Sequence, residues 1–341
     1  MAASVRQLAF TDHVRIDHYS AVHMASEIAR SVATDCGLPG SMPDRAAVVT
    51  SELASNLTKH ARDGSLYIQP LPLGGGLEIL AADRGPGMAE LERCLVDGYT
   101  TTGTLGAGLG AVRRIATDLT ISTHVGEGTF VCARLAQPGR PRAGLQEVAV
   151  IRLPAAGEPL CGDNAAVVDH EQTRTAAVVD GLGHGPDADE AAQAAIRSFH
   201  TTADRPLPDI VTAMHRALRH TRGAAVGLMR LHTTQAEYCG VGNVRMVALS
   251  PEGVHHRLIG QPGLVGFRMP APRTHRVPLT AGTVTALHSD GIDHRWTHTP
   301  PHQLLRLPLQ LLPLAVAERY RHSRDDATIL AAKPLRKGDE H

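Results

Sequence analysis

The chain has 341 residues, about two domains at roughly 150 residues each. It is 43% hydrophobic and 20% charged, which excludes general disorder. Its 34 basic side chains balance its 34 acidic ones, so wholesale binding to nucleic acid or an anionic membrane is not indicated.

No apolar run approaches the roughly 20 residues of a membrane helix. The opening MAASVRQLAFTDHVR has no continuous apolar core of the signal-peptide kind. The five cysteines (36, 94, 132, 161 and 239) form no CxxC pair, so a reduced, cytoplasmic compartment is expected. Aromatics are only 3%, which leaves the cores to Leu, Val, Ile and Ala. The basic set is 31 Arg to 3 Lys and reads as the coding bias of a GC-rich genome rather than a binding adaptation.

Residues 19–36 read as a helix closed by Gly37, and 43–60 as a second. Strand-like runs follow at 66–69, 77–82, 119–124 and 129–135, with a helix near 109–117. Helices first and strands after predict an α+β layer rather than a parallel βαβ repeat. Residues 136–146, AQPGRPRAGLQ, carry two prolines, two glycines and no apolar period, and read as a linker. Beyond it, strands are predicted at 148–153, 165–169 and 175–179, and helices at 187–200 and 208–221. Further strands are predicted at 224–232, 237–241, 244–250 and 283–288, then a helix at 313–321 and a strand at 328–332. Strands enclosing a helix pair predict a sandwich with helices on its faces. Residues 334–341 read as a solvated tail.

The segment 51–60, SELASNLTKH, is the first with chemistry in it. Glu52, Asn56 and His60 are four apart and share a helix face. Val49, Leu53 and Leu57 form an apolar stripe beside them. A polar stripe flanking the core stripe is placed to line a pocket; a plain amphipathic helix is the alternative. Two glycine clusters follow. DRGPGM (83–88) comes after a strand, and GTLGAGLG (103–110) leads into a helix. Glycines let the backbone approach phosphate, and a helix N-terminus offers unpaired N–H groups. A carboxylate such as Asp83 can accept from an adenine amino group, and an Asn amide oxygen can hold Mg²⁺.

ELxxNxxxHA, DxGPGM, GLG before a helix and Gly128-Thr129-Phe130, in that order, resemble the GHKL (Bergerat) ATPase α/β sandwich, and within it the RsbT-type serine kinases. The resemblance covers about residues 10–135. It implies that Asn56 holds Mg²⁺, Asp83 takes the adenine amino group, and Gly85 and Gly87 shape the base pocket. It also implies that Gly108 and Gly110 face the phosphates of ATP and that Thr129 sits near the adenine. Glu52 is then the candidate base for a substrate serine. The stretch between the two glycine clusters is short, so the lid is small.

In the second half, aspartates stand at strand ends: Cys161-Gly162-Asp163-Asn164, Val179-Asp180-Gly181, Ser289-Asp290-Gly291 and Asp325-Asp326-Ala327. Any single one suits a turn. Together, hard carboxylate oxygens suit Mg²⁺ or Mn²⁺, and clustered Cys and His at zinc spacing are missing. GDN…VVDGLGHG…SDGI…DDATIL resembles the PPM phosphatases, an αββα sandwich, and the SpoIIE and RsbX type best. The resemblance covers about 147–332, and the turn Gly240-Val241-Gly242-Asn243 adds to it. It implies metal binding by Asp163, Asp180, the Gly181 carbonyl, Asp290 and Asp325, with Asp326 able to replace Asp325. Two such ions about 3.5–4 Å apart activate a bridging water for in-line attack on phosphorus. Eukaryotic members carry a histidine two residues after the metal aspartate. Here that place holds Leu182, and His184 lies two further on. The phosphate-gripping arginine of those members has no clear counterpart; Arg152 is a candidate the sequence does not single out.

The expected organisation is a GHKL kinase domain at 1–135, a linker at 136–146, a phosphatase domain at 147–333 and a tail. Both resemblances imply one partner class, small STAS-domain antagonists or stressosome-type proteins. A sigma factor or downstream effector, bound by the first half without phosphoryl transfer, is the alternative; loss of activity in one half is a third. No nucleic-acid or membrane partner is expected.

Overall fold

The computed structural model describes residues 11–91, 108–139 and 142–335. The chain divides into two compact units, Thr11–Gln146 and a second one beginning at Glu147.

In the first unit, helix α1 (Tyr19–Asp35) buries Ala21, Val22, Ala25, Ala29 and Ala33, an alanine stripe that lets a second helix lie close. That second helix is α2 (Met42–His60). Pro43 and Asp44 open it and Lys59 and His60 close it, so its charges oppose the helix dipole. Its buried stripe includes Val49, Leu53 and Leu57, as the sequence predicts. The strands are β1 (Asp12–Arg15), β2 (Ser65–Pro70), β3 (Gly76–Asp83), β4 (Asp118–His124) and β5 (Gly128–Ala136). Between β3 and β4 lies α3 (Gly108–Ile115). The sheet order is β1-β2-β3-β5-β4, antiparallel throughout. Alternation along β2, β3 and β5 sends Leu66, Ile68, Ile79, Ala81, Val131 and Ala133 into one core with the helices. The opposite face carries buried Glu78, whose carboxylate accepts from Arg134 Nε at 2.7 Å and Gln69 Nε2 at 2.5 Å.

The predicted linker 136–146 is partly taken up by this unit. Ala136 ends β5, and α4 (Arg142–Leu145) brings Leu145 into a small core with Leu71 and Ala136. A buried leucine outweighs the proline and glycine signals there.

The second unit holds two five-stranded antiparallel sheets. One contains β6 (Val148–Leu153), β11 (Arg245–Ser250), β12 (Gly253–Ile259), β14 (Val284–His288) and β15 (Ala327–Ala332), in the order β12-β11-β14-β15-β6. The other contains β7 (Asp163–His170), β8 (Thr173–Gly181), β9 (Ala224–Leu231), β10 (Gln235–Val241) and β13 (His275–Pro278), in the order β13-β10-β9-β8-β7. Helices α5 (Pro186–His200) and α6 (Leu207–Ala217) pack on the second sheet through Ala192, Ile196, Phe199, Ile210 and Met214. A short helix α7 (His302–Leu305) precedes α8 (Leu312–Tyr320), which packs on β6 and β15. Two facing sheets with helices outside make a four-layer PPM-like α+β sandwich.

Candidate functional site

The aspartates gather at one end of the second unit because strand pairing and glycine contacts leave no alternative. Asp163 and Asp180 are direct cross-strand partners on β7 and β8. The Gly181 N–H donates to the Gly162 carbonyl at 3.0 Å. A β-carbon on Gly181 would lie 2.3 Å from the Ala188 carbonyl oxygen of α5, and one on Gly291 would lie 1.9 Å from that of Asp326. Both turns therefore require glycine and are pressed against their neighbours. Ser289, just after β14, donates its hydroxyl to Asp163 Oδ2 at 2.6 Å and accepts from the Thr328 N–H at 2.9 Å, tying three strands together. Asn243 Nδ2 donates to Asp290 Oδ2 at 2.5 Å.

The carboxylates sense each other. Burial pushes the Asp163 carboxyl up to about 7 against the pull of the Ser289 hydroxyl, with Asp326 and Asp290 adding to the rise. Burial, then the charges of Asp163 and Asp290, push Asp180 well above the usual carboxylate range. Burial and then Asp290 likewise raise Asp325. Among the described residues these approaches are pairwise, and no three His, Cys, Asp or Glu side chains enclose an ion-sized space. The donor set nonetheless fits a hard cation. It is all hard oxygen, its carboxylates repel one another as they stand, and buried oxygens without a hydrogen-bond partner, Asp326 Oδ2 and the Asn243 amide Oδ1, lie beside them. Asp326 differs from Asp325 in having a structural duty: its Oδ1 accepts the Ala155 N–H at 2.9 Å.

Arg152 is buried and donates to Asn164 Oδ1 at 2.6 Å. Its guanidinium is buried beside Asp189 and Asp163. His184 is exposed, with Nδ1 2.8 Å from Glu158 Oε1.

In the first unit, Asp83 ends β3 opposite Thr129 of β5. Its Oδ1 accepts the Gly85 N–H at 2.7 Å. Burial raises its pKa, and the N–H groups of Gly85 and Thr129 pull it back. A β-carbon on Gly85 would meet the His60 carbonyl oxygen at 2.9 Å, so the turn lies against the end of α2. Gly87 (φ +72°) and Gly128 (φ +98°) close on His124 and Asp83 backbone respectively. The Thr129 and Thr123 hydroxyls lie 3.1 Å apart, and Thr123 accepts the Met88 N–H at 2.8 Å. Glu52 and Asn56 are half-buried on α2, and His60 is exposed. Gly108 opens α3 at φ +50°, and Gly110 is buried within it. The stretch 92–107, with the rest of the second glycine cluster and the short lid, lies outside the described residues.

Sequence reasoning passed over Ser289, Asn243 and Asn164 as site residues. All three sit inside quoted motifs, so their position was visible although their hydrogen bonds were not.

A PPM phosphatase-like sandwich is the class this architecture defines. Residues 171–334 match the family described as Stage II sporulation protein E (SpoIIE), which places the second unit with the SpoIIE-type PPM phosphatases, and the chain also carries an RsbT-related stretch. It is 27% identical over 146 residues to phosphoserine phosphatase RsbX of Bacillus subtilis (strain 168), covering 42% of this chain and 73% of RsbX. It is 35% identical over 111 residues to serine/threonine-protein kinase RsbT of the same strain, covering 32% of this chain and 84% of RsbT. A solved chain described under "The bacterial stressosome: a modular system that has been adapted to control secondary messenger signaling" matches at 32% identity and a TM-score of 0.51, covering 55% of this chain and 98% of its own length. Among the described residues no helix is long and apolar enough to cross a membrane.

Proposed function

We propose that the chain is a two-headed switch enzyme of a stress-response or sigma-factor pathway. Its phosphatase unit removes phosphate from serine or threonine of a STAS-domain or stressosome-type protein, and its first unit, a GHKL-type fold, uses ATP to put phosphate there. The observation that carries the reading is the meeting of Asp163, Asp180, Asp290 and Asp325 at one end of the second sandwich.

Asp180, Asp290 and Asp325, with Asp163 and the Gly181 carbonyl, would hold two Mn²⁺ or Mg²⁺ ions. Bound there, such a pair supplies an activated water and polarises the phosphoryl oxygens. The chain's own residues position this chemistry: Ser289 fixes Asp163, and Asn243 fixes Asp290. His184, oriented by Glu158, is the side chain able to return a proton to the leaving serine oxygen.

In the first unit, Asp83 would accept from the adenine amino group, with Thr129 beside it and Gly85 and Gly87 shaping the pocket. Asn56 would hold Mg²⁺ on ATP, and Gly108 and Gly110 would present the α3 N-terminus to the phosphates. Glu52, one turn before Asn56, would take the proton of the acceptor serine. Proximity of both heads raises the effective concentration of the shared partner for each. The place of action consistent with this partner class is the cytoplasm.

Hydrolysis of a phosphoserine peptide should require added Mn²⁺ or Mg²⁺ and stop in EDTA. Turnover that is indifferent to the chelator contradicts the metal assignment.

A further inference from the structure

Beside the metal turn lies a group of exposed side chains that the mechanism above does not use. The Leu182 N–H donates to the Gly223 carbonyl at 3.0 Å, and Gly181 and Ala224 are cross-strand partners, so Arg222 stands at the edge of the Asp180-Gly181 turn. Its guanidinium lies over the same loop: a β-carbon at Gly183 would sit 3.3 Å from Nη1. The hairpin 264–268 rests on this point. Val265 bridges Ala224, and a β-carbon on Gly266 would lie 3.2 Å from the Gly223 Cα. The hairpin holds Phe267 82% exposed, while Leu182 is 52% exposed. Two large apolar side chains and an arginine thus flank one backbone junction at the mouth of a carboxylate site.

Among the described residues Arg222 is tied to Asp187, Nη2 to Oδ2 at 2.6 Å, and both side chains are more than half exposed. Such a surface pair is weak and exchanges readily for a better anion. A phosphate offers the guanidinium fork two oxygens in a plane, which Asp187 already imitates with its carboxylate.

We propose that Arg222, Leu182 and Phe267 form the substrate-recognition rim of the phosphatase unit. Arg222 leaves Asp187 to take outer oxygens of the phosphoserine, and Leu182 and Phe267 contact apolar residues next to it in the substrate chain. The occupant is therefore a phosphoserine segment with apolar flanks, presented by a protein partner. This rests on the phosphatase reading, and the test separates the two.

Wild type and variants are assayed with Mn²⁺ on p-nitrophenyl phosphate and on two phosphoserine peptides, one flanked by leucines and one by glycines. Arg222→Ala should raise KM at least about tenfold on both peptides, with kcat changed less. Asp187→Asn should lower KM, because it releases the arginine. Phe267→Ala and Leu182→Ser should raise KM at least about fivefold on the leucine peptide only, and so erase the preference for it. Labelled leucine peptide should bind Asp180→Asn protein more tightly than the same protein carrying Phe267→Ala. Wild-type hydrolysis with no leucine preference, or KM values unmoved by Arg222→Ala, overturns the rim alone. No hydrolysis of any substrate by wild type overturns the phosphatase reading beneath it.

Discussion

Asp180→Ala protein is expected to lose metal-dependent phosphoserine hydrolysis by well over about 100-fold, since even residues that merely orient a metal ligand are worth about 10–100-fold. Asp180 faces Asp163 across the β7–β8 ladder and feels the charges of Asp163, Asp290 and Asp325, so it is the carboxylate common to the whole cluster. Its loss removes one of the carboxylates that would hold the ions. The same change should not unfold the unit. Asp180 is only half-buried, and deleting one of several mutually repelling carboxylates relieves charge. The measurement is initial rate against Mn²⁺ concentration, with circular dichroism as the control for folding. A variant as active as wild type removes Asp180 from the site.

The second large effect is expected in the first unit. Asp83→Ala should weaken ATP binding by roughly 10–100-fold, the value of one hydrogen bond to a charged partner of about 1.5–3 kcal/mol. Asp83 is well prepared for this role. One oxygen accepts the Gly85 N–H at 2.7 Å, which fixes the carboxylate plane. Asn56→Ala should leave nucleotide affinity in metal-free buffer unchanged and remove the gain that Mg²⁺ confers. Fluorescence titration with a labelled ATP analogue, with and without Mg²⁺, reads both effects. Equal affinity of Asp83→Ala and wild type contradicts the adenine assignment.

Most of this architecture was legible in the sequence, and the failures share a physical cause. Each helix of eight or more residues and the central strands were found because an apolar period marks a buried face. The three strands that escaped, β1, β12 and β13, are all sheet edges. These three carry polar or charged side chains on both faces, as Asp12-His13-Val14-Arg15 and His255-His256-Arg257 do, and so lose the alternation that betrays the other strands. The aspartates of the second unit were legible because each ends or begins a strand beside glycine or a second aspartate. Arg222 and Phe267 were not. Their placement comes from the β8–β9 register and from a hairpin folded onto Gly223, long-range facts that no local pattern encodes. The linker was overread for the opposite reason. Its turn residues were conspicuous, whereas the single leucine that anchors it was not.

The account stands or falls on opposite chemistry at two sites of one chain. The direct test incubates a STAS-domain partner with γ-labelled ATP and either Asp180→Ala or Glu52→Ala protein. Asp180→Ala should load the partner with label that then stays. Glu52→Ala should load it about 10²–10⁴ times more slowly, the usual worth of a general base, yet strip label from partner phosphorylated beforehand when Mn²⁺ is present. Loading by Glu52→Ala at the wild-type rate, or stripping by Asp180→Ala as fast as by Glu52→Ala, would contradict it.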